Sequence, residues 1–392
     1  MIFNTFAYFL CFLAPAAIGF RVVRPAWQPW VCFAFGAAFF VFFSLMEVGG
    51  ALGAFCLLIF IWESLFSRLY KPKSVWCILG IIQAILFLGI FKYWNFFTGL
   101  IYGPQPANPW YWTGAFLPLG ISFFTFEFIH YAVDRYRGTA ERGRIGDYLA
   151  FILFFPTMVA GPIKRFQDFE PKLIKPSLAW AEDWEVGLTR IFVGLAKKFA
   201  IADLLTAYTD HLNMTDIALA NRAILPFWLL AYGAKIYFDF SAYSDIAIGS
   251  ARLFGIKVPE NFDWPYIRTN IADFWAHWHM SLTKWLTDYL FIPLGGSRRA
   301  PSRVYLNVLV TMGISGLWHG AGLNFIVWGL WHGMLLVGLR VWRSIRGPVE
   351  HPSRLAQIGS WALTFVTVQI GWAFFCMDLP TAVFFFRRLL GG

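Results

Sequence analysis

The chain has 392 residues, 58% of them hydrophobic and 14% charged, with 44 Phe and 20 Trp. Soluble domains carry about 25% charged residues, so this composition excludes an ordinary soluble globular protein and points to a chain that uses a bilayer as solvent. The formal net charge of +10 is not a nucleic-acid footprint, because its basic residues sit in short loops between apolar stretches, and no nucleic-acid partner is expected.

In chain order, apolar stretches near the roughly 20 residues needed to cross the hydrocarbon core run at 2–20, 26–46, 49–66, 75–98, 111–132, 187–208, 222–240, 323–339 and 357–377. Shorter ones lie at 148–162 and 304–318. The first has no basic leader and no small-residue cleavage site after it, and reads as a retained helix. Basic residues cluster at Arg21/Arg24, Arg68/Lys71/Lys73, Arg135/Arg137/Arg142/Arg144, Lys164/Arg165/Lys172/Lys175, Arg298/Arg299/Arg303 and Arg340/Arg343/Arg346/Arg354, whereas connections 46–50, 99–110 and 209–218 contain none. This alternation is the positive-inside pattern, with the N-terminus outside and the basic loops cytoplasmic, against anionic headgroups. It holds only if 148–162 enters and returns on one side. Its "FFPTMVAGP" break suits a re-entrant segment, which is allowed where protein or water covers the backbone. The expected fold is therefore an all-α integral membrane protein of about ten transmembrane helices plus re-entrant and amphipathic interfacial helices. We expect a single polytopic domain, 1–392, with peripheral helices in 1–110, a polar-bearing core in 111–340 and a C-terminal helical region in 341–392.

Cys11, Cys32, Cys56, Cys77 and Cys376 are scattered through apolar segments without CxxC spacing and read as small buried hydrophobes. With no Cys/His/carboxylate cluster at zinc spacing, no metal site is expected. Intramembrane polar groups are expensive and default to paired or functional readings. Glu127, His130 and Asp134 share one helix face at i, i+3 and i+7, a pattern read first as a buried pair steadying the bundle. Asp239 and Asp245 in "FDFSAYSD" read as structural, with Ser241 and Ser244 offering local hydrogen bonds.

In "YIRTNIADFWAHWHMSLTKWLTDYLFIP" (266–293), Ile271, Trp275, Trp278, Leu282, Trp285 and Tyr289 fall at helical spacing, as in one amphipathic interfacial helix. His277 and His279 would then lie about 200° apart and could not easily share a metal; the bland reading of each is a bond to a backbone carbonyl. His319 sits deeper, with 16 residues of helix after Arg303 rising roughly 24 Å. Gly313, Gly316, Gly320 and Gly322 around it permit close backbone approach or a tight turn. These residues alone leave two readings open, a general base for a hydroxyl and a core histidine paired with a carboxylate.

Four stretches together resemble the membrane-bound O-acyltransferase (MBOAT) family: "GISFFTFEFIHYAVDRYRG" (120–138), "MVAGPIKRFQDFEPKL" (158–173), the run from "YFDFSAYSDIAIG" through "FWAHWHMSLTKWLTDYLFIPLGGSR" (237–298), and "GLWHGAGLNFIVWGLWHG" (316–333). The branch most similar is that of bacterial alginate O-acetylation and teichoic-acid D-alanylation membrane proteins. The resemblance covers 120–340 strongly. It implies the MBOAT fold in a bacterial inner (cytoplasmic) membrane, and acyl transfer, acetyl expected, from a cytoplasmic thioester donor to a hydroxyl of an extracytoplasmic polysaccharide or to a secreted partner that relays it. The donor, acetyl-CoA or an acyl carrier protein, is a substrate, and no bound cofactor is implied. The family's catalytic histidine maps onto His319 and its second motif histidine onto His279. Trp318, Trp275, Trp285, Asp288 and Tyr289 are the expected substrate-tunnel residues.

Departures from the branch pattern occur at His277, where Arg is usual, at Thr287, at Glu127 and at His130, and they bear on donor or acceptor specificity. The alginate branch generally continues beyond the last apolar span, so a further helical region or a contact supplied in trans is expected. Two alternatives stand beside acetyl transfer: D-alanyl or other acyl transfer from a carrier protein, and an acyl-group channel serving a secreted transferase. The channel would draw on Glu127 and Lys235 and predicts inverted repeats, of which the sequence shows none.

Overall fold

The computed structural model describes residues 2–48, 50–103, 105–347 and 353–392. Gly49 and Pro104, which belong to the connections 46–50 and 99–110 that lack basic residues, lie outside the described residues. The regular elements of the described residues are all helices, with no strand among them and one isolated antiparallel bridge, Phe262 to Trp278. Among the described residues four helices are long and apolar enough to cross a membrane: Pro25–Ser44, Val75–Tyr102, Leu323–Arg346 and Arg354–Cys376.

The residues group into two compact units, Met1–Leu195 with Tyr243–Pro259, and Ala196–Ala242 with Glu260–Gly392. The first contains α1 (Ala14–Val22), α2 (Gln28–Val48), α3 (Gly50–Phe66), α4 (Val75–Leu88), α5 (Trp94–Tyr102), α6 (Ile121–Arg137), α7 (Ile145–Ile152), α8 (Phe166–Ile174) and most of α9 (Trp180–Lys197). The second holds α10 (Thr206–Thr209) and α11 (Met214–Leu219). The long α12 (Leu225–Leu253) contributes to it up to Ala242 and to the first unit thereafter. The second unit continues with α13 (Ile271–His277), α14 (Met280–Leu286), α15 (Pro301–His319), α16 (Leu323–Arg346), α17 (Arg354–Cys376) and α18 (Leu379–Leu389).

Aromatic packing fills the first unit. Phe39 meets Phe3, Phe12, Phe43 and Phe155 at centroid separations of 4.7–5.6 Å. Gly36 of α2 lies so close to the Leu153 carbonyl that a Cβ there would sit 1.7 Å from its oxygen. That approach seats 145–158 against α2: the short α7 ends at Ile152, and the irregular backbone of Phe154–Met158 is buried under protein, as a re-entrant segment would require.

Several elements differ from the sequence expectation. The stretch 111–132 becomes helix only at Ile121, because Gly120 at φ +70° starts the element and Pro109 and Pro118 disfavour helix before it. The stretch 222–240 is part of a helix running on to Leu253. Asp239 and Asp245 lie within it and meet cations distant in sequence: Lys198 meets Asp239 at 2.8 Å and Arg190 meets Asp245 at 2.5 Å. The single amphipathic helix expected across 266–293 is two short helices, α13 and α14, with an abrupt break between them.

Glu127, His130 and Asp134 are buried and tied to 164–167. Lys164 pairs with Glu127, the Phe166 N–H donates to His130 Nε2 at 3.2 Å, and Gln167 donates to Asp134 at 2.8 Å. This is the bundle-steadying arrangement.

Candidate active site

The site is built on the second unit from two backbone features. One is the hairpin of α15 and α16, joined by the three residues Gly320, Ala321 and Gly322. The helices cross at small residues: a Cβ on Gly316 would lie 2.1 Å from the Phe325 carbonyl oxygen, and one on Gly329 would lie 2.1 Å from that of Met312. Such small-residue crossings let helix backbones approach where lipid supplies no hydrophobic driving force. His319 is thereby held as the last residue of α15. It is half-buried, with Trp318, Trp328 and Phe375 around its ring at 4.8, 5.1 and 5.2 Å.

The other feature is the α13–α14 break. Trp278 is extended and His279 adopts φ +44°, ψ +54°, left-handed backbone for a non-glycine residue. The strand-like segment 261–263 imposes this. Met280 N–H donates to the Asn261 carbonyl at 3.0 Å, Ser281 Oγ to Asn261 Oδ1 at 2.6 Å, and Asp263 N–H to the His277 carbonyl at 3.1 Å. Such a conformation costs about 1–2 kcal/mol for a non-glycine, and observed strain of this kind clusters at functional sites.

The break separates two histidines that a continuous helix would have carried on one amphipathic element. His277 is paired near the surface, its Nδ1 2.7 Å from the Asp273 carbonyl oxygen and its Nε2 3.6 Å from Asp263. His279 turns inward, 1% exposed, its ring edge-on to Phe240 at 4.7 Å and 6.5 Å centroid to centroid from His319. Neither ring nitrogen of His279 has a hydrogen-bond partner among the described residues. A buried histidine normally satisfies at least one nitrogen, so two bare ones beside a second histidine mark a place for a substrate or water.

A cavity of about 650 Å³ occupies the same unit. Arg299, Arg340, Arg343 and Ser344, all exposed, line one end, and the buried Trp275 and Ser315 line the other. The walls between, including Leu282, Leu286, Val308, Met312, Leu336 and Leu339, are mostly apolar. From Pro301 to Ser315 along α15 the lining spans roughly 21 Å of helix, and Ser315 is one turn from His319.

Of the expected tunnel residues, Trp275 lines this cavity, and Trp318 flanks both histidines, 6.2 Å from the His279 ring. Trp285 and Tyr289 pack on each other at 5.2 Å, outside this lining, as Asp288 is. Among the described residues no group of three His, Cys, Asp or Glu is placed to hold a metal ion.

The arginine rim was legible only as topology. In the sequence 298–303 and 340–346 are two separate basic loops, yet a three-residue connection makes α15 and α16 antiparallel neighbours. The start of one and the end of the other then meet. That short Gly-Ala-Gly connection is the signal that could have joined them.

Comparison with known proteins identifies the family of the chain. The family model of MBOAT, membrane-bound O-acyltransferase family, matches residues 52–377. The chain is 41% identical over 313 residues to a probable alginate O-acetylase of Pseudomonas syringae pv. tomato, covering 78% of this chain and 58% of that protein. It is 34% identical over 360 residues to the peptidoglycan O-acetyltransferase of Helicobacter pylori, covering 81% of this chain and 65% of the relative. It is likewise 34% identical over 300 residues to the teichoic acid D-alanyltransferase of Bacillus subtilis, covering 70% and 72%. The chain thus spans a little under two thirds of the length of the first two. With a match running through both histidines and the whole α15–α16 hairpin, the chain belongs to the membrane-bound O-acyltransferase family.

Proposed function

We propose that this chain transfers an acyl group, acetyl in the first instance, from a cytoplasmic thioester donor to a hydroxyl of an extracytoplasmic polymer, directly or through a partner protein. The carrying observation is the His279–His319 pair, 6.5 Å apart, with an arginine-rimmed cavity reaching Ser315 one turn from His319. His319 is the general base: it takes the acceptor hydroxyl's proton as the oxygen attacks the thioester carbonyl. His279, buried and bare at both nitrogens, orients a substrate group or steadies developing charge. The apolar cavity takes the donor's arm, and Arg299, Arg340 and Arg343 meet its phosphate groups. A thioester is already activated, so this route needs no covalent enzyme intermediate. In this reading the chain sits in a bacterial inner membrane with about ten spans, its basic loops cytoplasmic.

The test measures base-labile ester on the host's envelope polymers in a deletion strain carrying either the native chain or His319→Ala at matched membrane level. Native restoration and a loss of at least about 100-fold in the variant are expected for removal of a general base. Full restoration by His319→Ala would sink the enzyme reading and leave an acyl-group channel. Transfer of D-alanyl rather than acetyl is a second reading, favoured by the Bacillus relative's 72% coverage. Mild base then releases alanine instead of acetate.

A further inference from the structure

Besides His279, the second unit concentrates buried polar atoms that have no hydrogen-bond partner among the described residues: Ser315 Oγ, Trp275 Nε1, Trp328 Nε1 and both ring nitrogens of His332. Buried polar side chains in folded proteins are nearly always satisfied by protein or ordered water. Two of these residues, Ser315 and Trp275, line the cavity, and they do so at its buried end: Ser315 is fully buried and Trp275 is 6% exposed.

Ser315 has an unused local option. A helical serine or threonine ordinarily returns its hydroxyl to the carbonyl four residues back. Thr311, one turn earlier in the same lining, does this, donating to the Asn307 carbonyl at 2.7 Å. Ser315 makes no such bond, so its hydroxyl is available to the cavity. The Trp275 indole N–H is a donor that cannot accept, so its partner must be an acceptor atom. Ser315 also precedes His319 by four residues, placing both on one face of α15. Helical side chains lean toward the N-terminus, so the imidazole lies over the turn that carries Ser315.

We infer that the Ser315 hydroxyl and the Trp275 indole N–H are the donors that hold the carbonyl oxygen of the thioester at the inner end of the cavity. This rests on the acyltransferase reading above and adds to it the groups that bind the reacting carbonyl. In the transfer, a bond forms between the acceptor oxygen and the carbonyl carbon, and the carbon–sulfur bond breaks, its electron pair leaving with sulfur. The acceptor's proton passes to His319 and from there to the departing thiolate. Between bond formation and bond cleavage the carbonyl oxygen carries the negative charge. Two fixed donors at the buried end of a mostly apolar cavity are the environment in which hydrogen bonds to that oxygen strengthen as charge develops. The requirement for two donors at one oxygen also explains why a serine is kept unbonded in a helix where a neighbour on the same wall is bonded.

The experiment places Ser315→Ala, Ser315→Thr, Trp275→Phe and the native chain in the deletion strain at matched membrane level. The initial rate of base-labile ester formation after induction is measured, and the thermal midpoint of each detergent-solubilised chain is recorded. Ser315→Ala is expected to slow ester formation about 100-fold while its midpoint stays at or above native, since the change removes an unsatisfied buried hydroxyl. Trp275→Phe should slow it by at least tenfold, and Ser315→Thr, which keeps a hydroxyl, should recover most of the rate. Native-like rates in both Ser315→Ala and Trp275→Phe overturn the inference and leave an ordered water as the occupant of the spot. A rate loss that tracks a fallen midpoint, with no recovery in Ser315→Thr, overturns it in favour of a packing role. A native chain that restores no ester overturns the acyltransferase reading itself, and the inference with it.

Discussion

His279 shows how a single residue can be chosen twice, once for its backbone and once for its ring. Its left-handed conformation aims the imidazole inward, away from the acidic surface that holds His277. Two substitutions separate the roles. Asn tolerates left-handed backbone, so His279→Asn should keep a near-native thermal midpoint while losing ester formation. A β-branched residue is a poor fit there, so His279→Val should lose both, with a stability loss of about 1–2 kcal/mol. Ester formation at the native level in His279→Asn would show that the ring takes no part. The break itself was hidden from the sequence, because "FWAHWHMSLTKWL" contains no Gly or Pro and its apolar residues repeat at helical spacing. It is imposed by bonds from Asn261, whose distance along the chain no local pattern encodes.

At the scale of the element, the α15–α16 hairpin positions His319 through the Gly316–Gly329 crossing. Gly338, farther along the same helix, has no such duty: nothing lies within 4 Å of a Cβ added there. Gly329→Ala drives a methyl into the Met312 backbone carbonyl and should destabilise the chain by about 1–3 kcal/mol, reducing ester formation through displacement of His319. Gly338→Ala should stabilise it by roughly 0.5–1 kcal/mol, the helix-propensity difference. Thermal midpoints in one detergent compare the two; equal midpoints would mean the helices do not meet as closely as described. Clustered glycines around His319 were visible in the sequence as permission for close approach. Which of them are used, Gly316 and Gly320 against Phe325 but Gly313 only in ordinary contact with Leu330, required the partner helix.

For the whole molecule the remaining question is orientation, which loop charge predicts. Ala107 and Glu141 are both exposed, in an uncharged and a basic connection respectively. Cysteines introduced at Ala107 and Glu141, in a background lacking the five native cysteines because Cys11 is itself exposed, should label from opposite sides of intact vesicles. Labelling from one side would overturn the alternation and, with it, the cytoplasmic assignment of the arginine rim. In the proposed topology the same basic loops carry two demands at once: they would orient the chain across the membrane, and two of them, brought together by the hairpin, line the exposed end of the cavity.

Composition and apolar run length determined from the sequence alone that this is a helical chain built for a bilayer, because hydrophobic transfer adds up locally along the chain. The motif around His319 was equally legible, since its residues are contiguous. Tertiary structure decided what depends on residues far apart in sequence: the Glu127–Lys164 pair, 37 residues apart, the Lys198–Asp239 and Arg190–Asp245 pairs, the inward turn of His279 and the convergence of the arginines. For Glu127, Asp245 and His279 a buried or strained group is held by a partner distant in sequence, and desolvation makes that partner's position decisive.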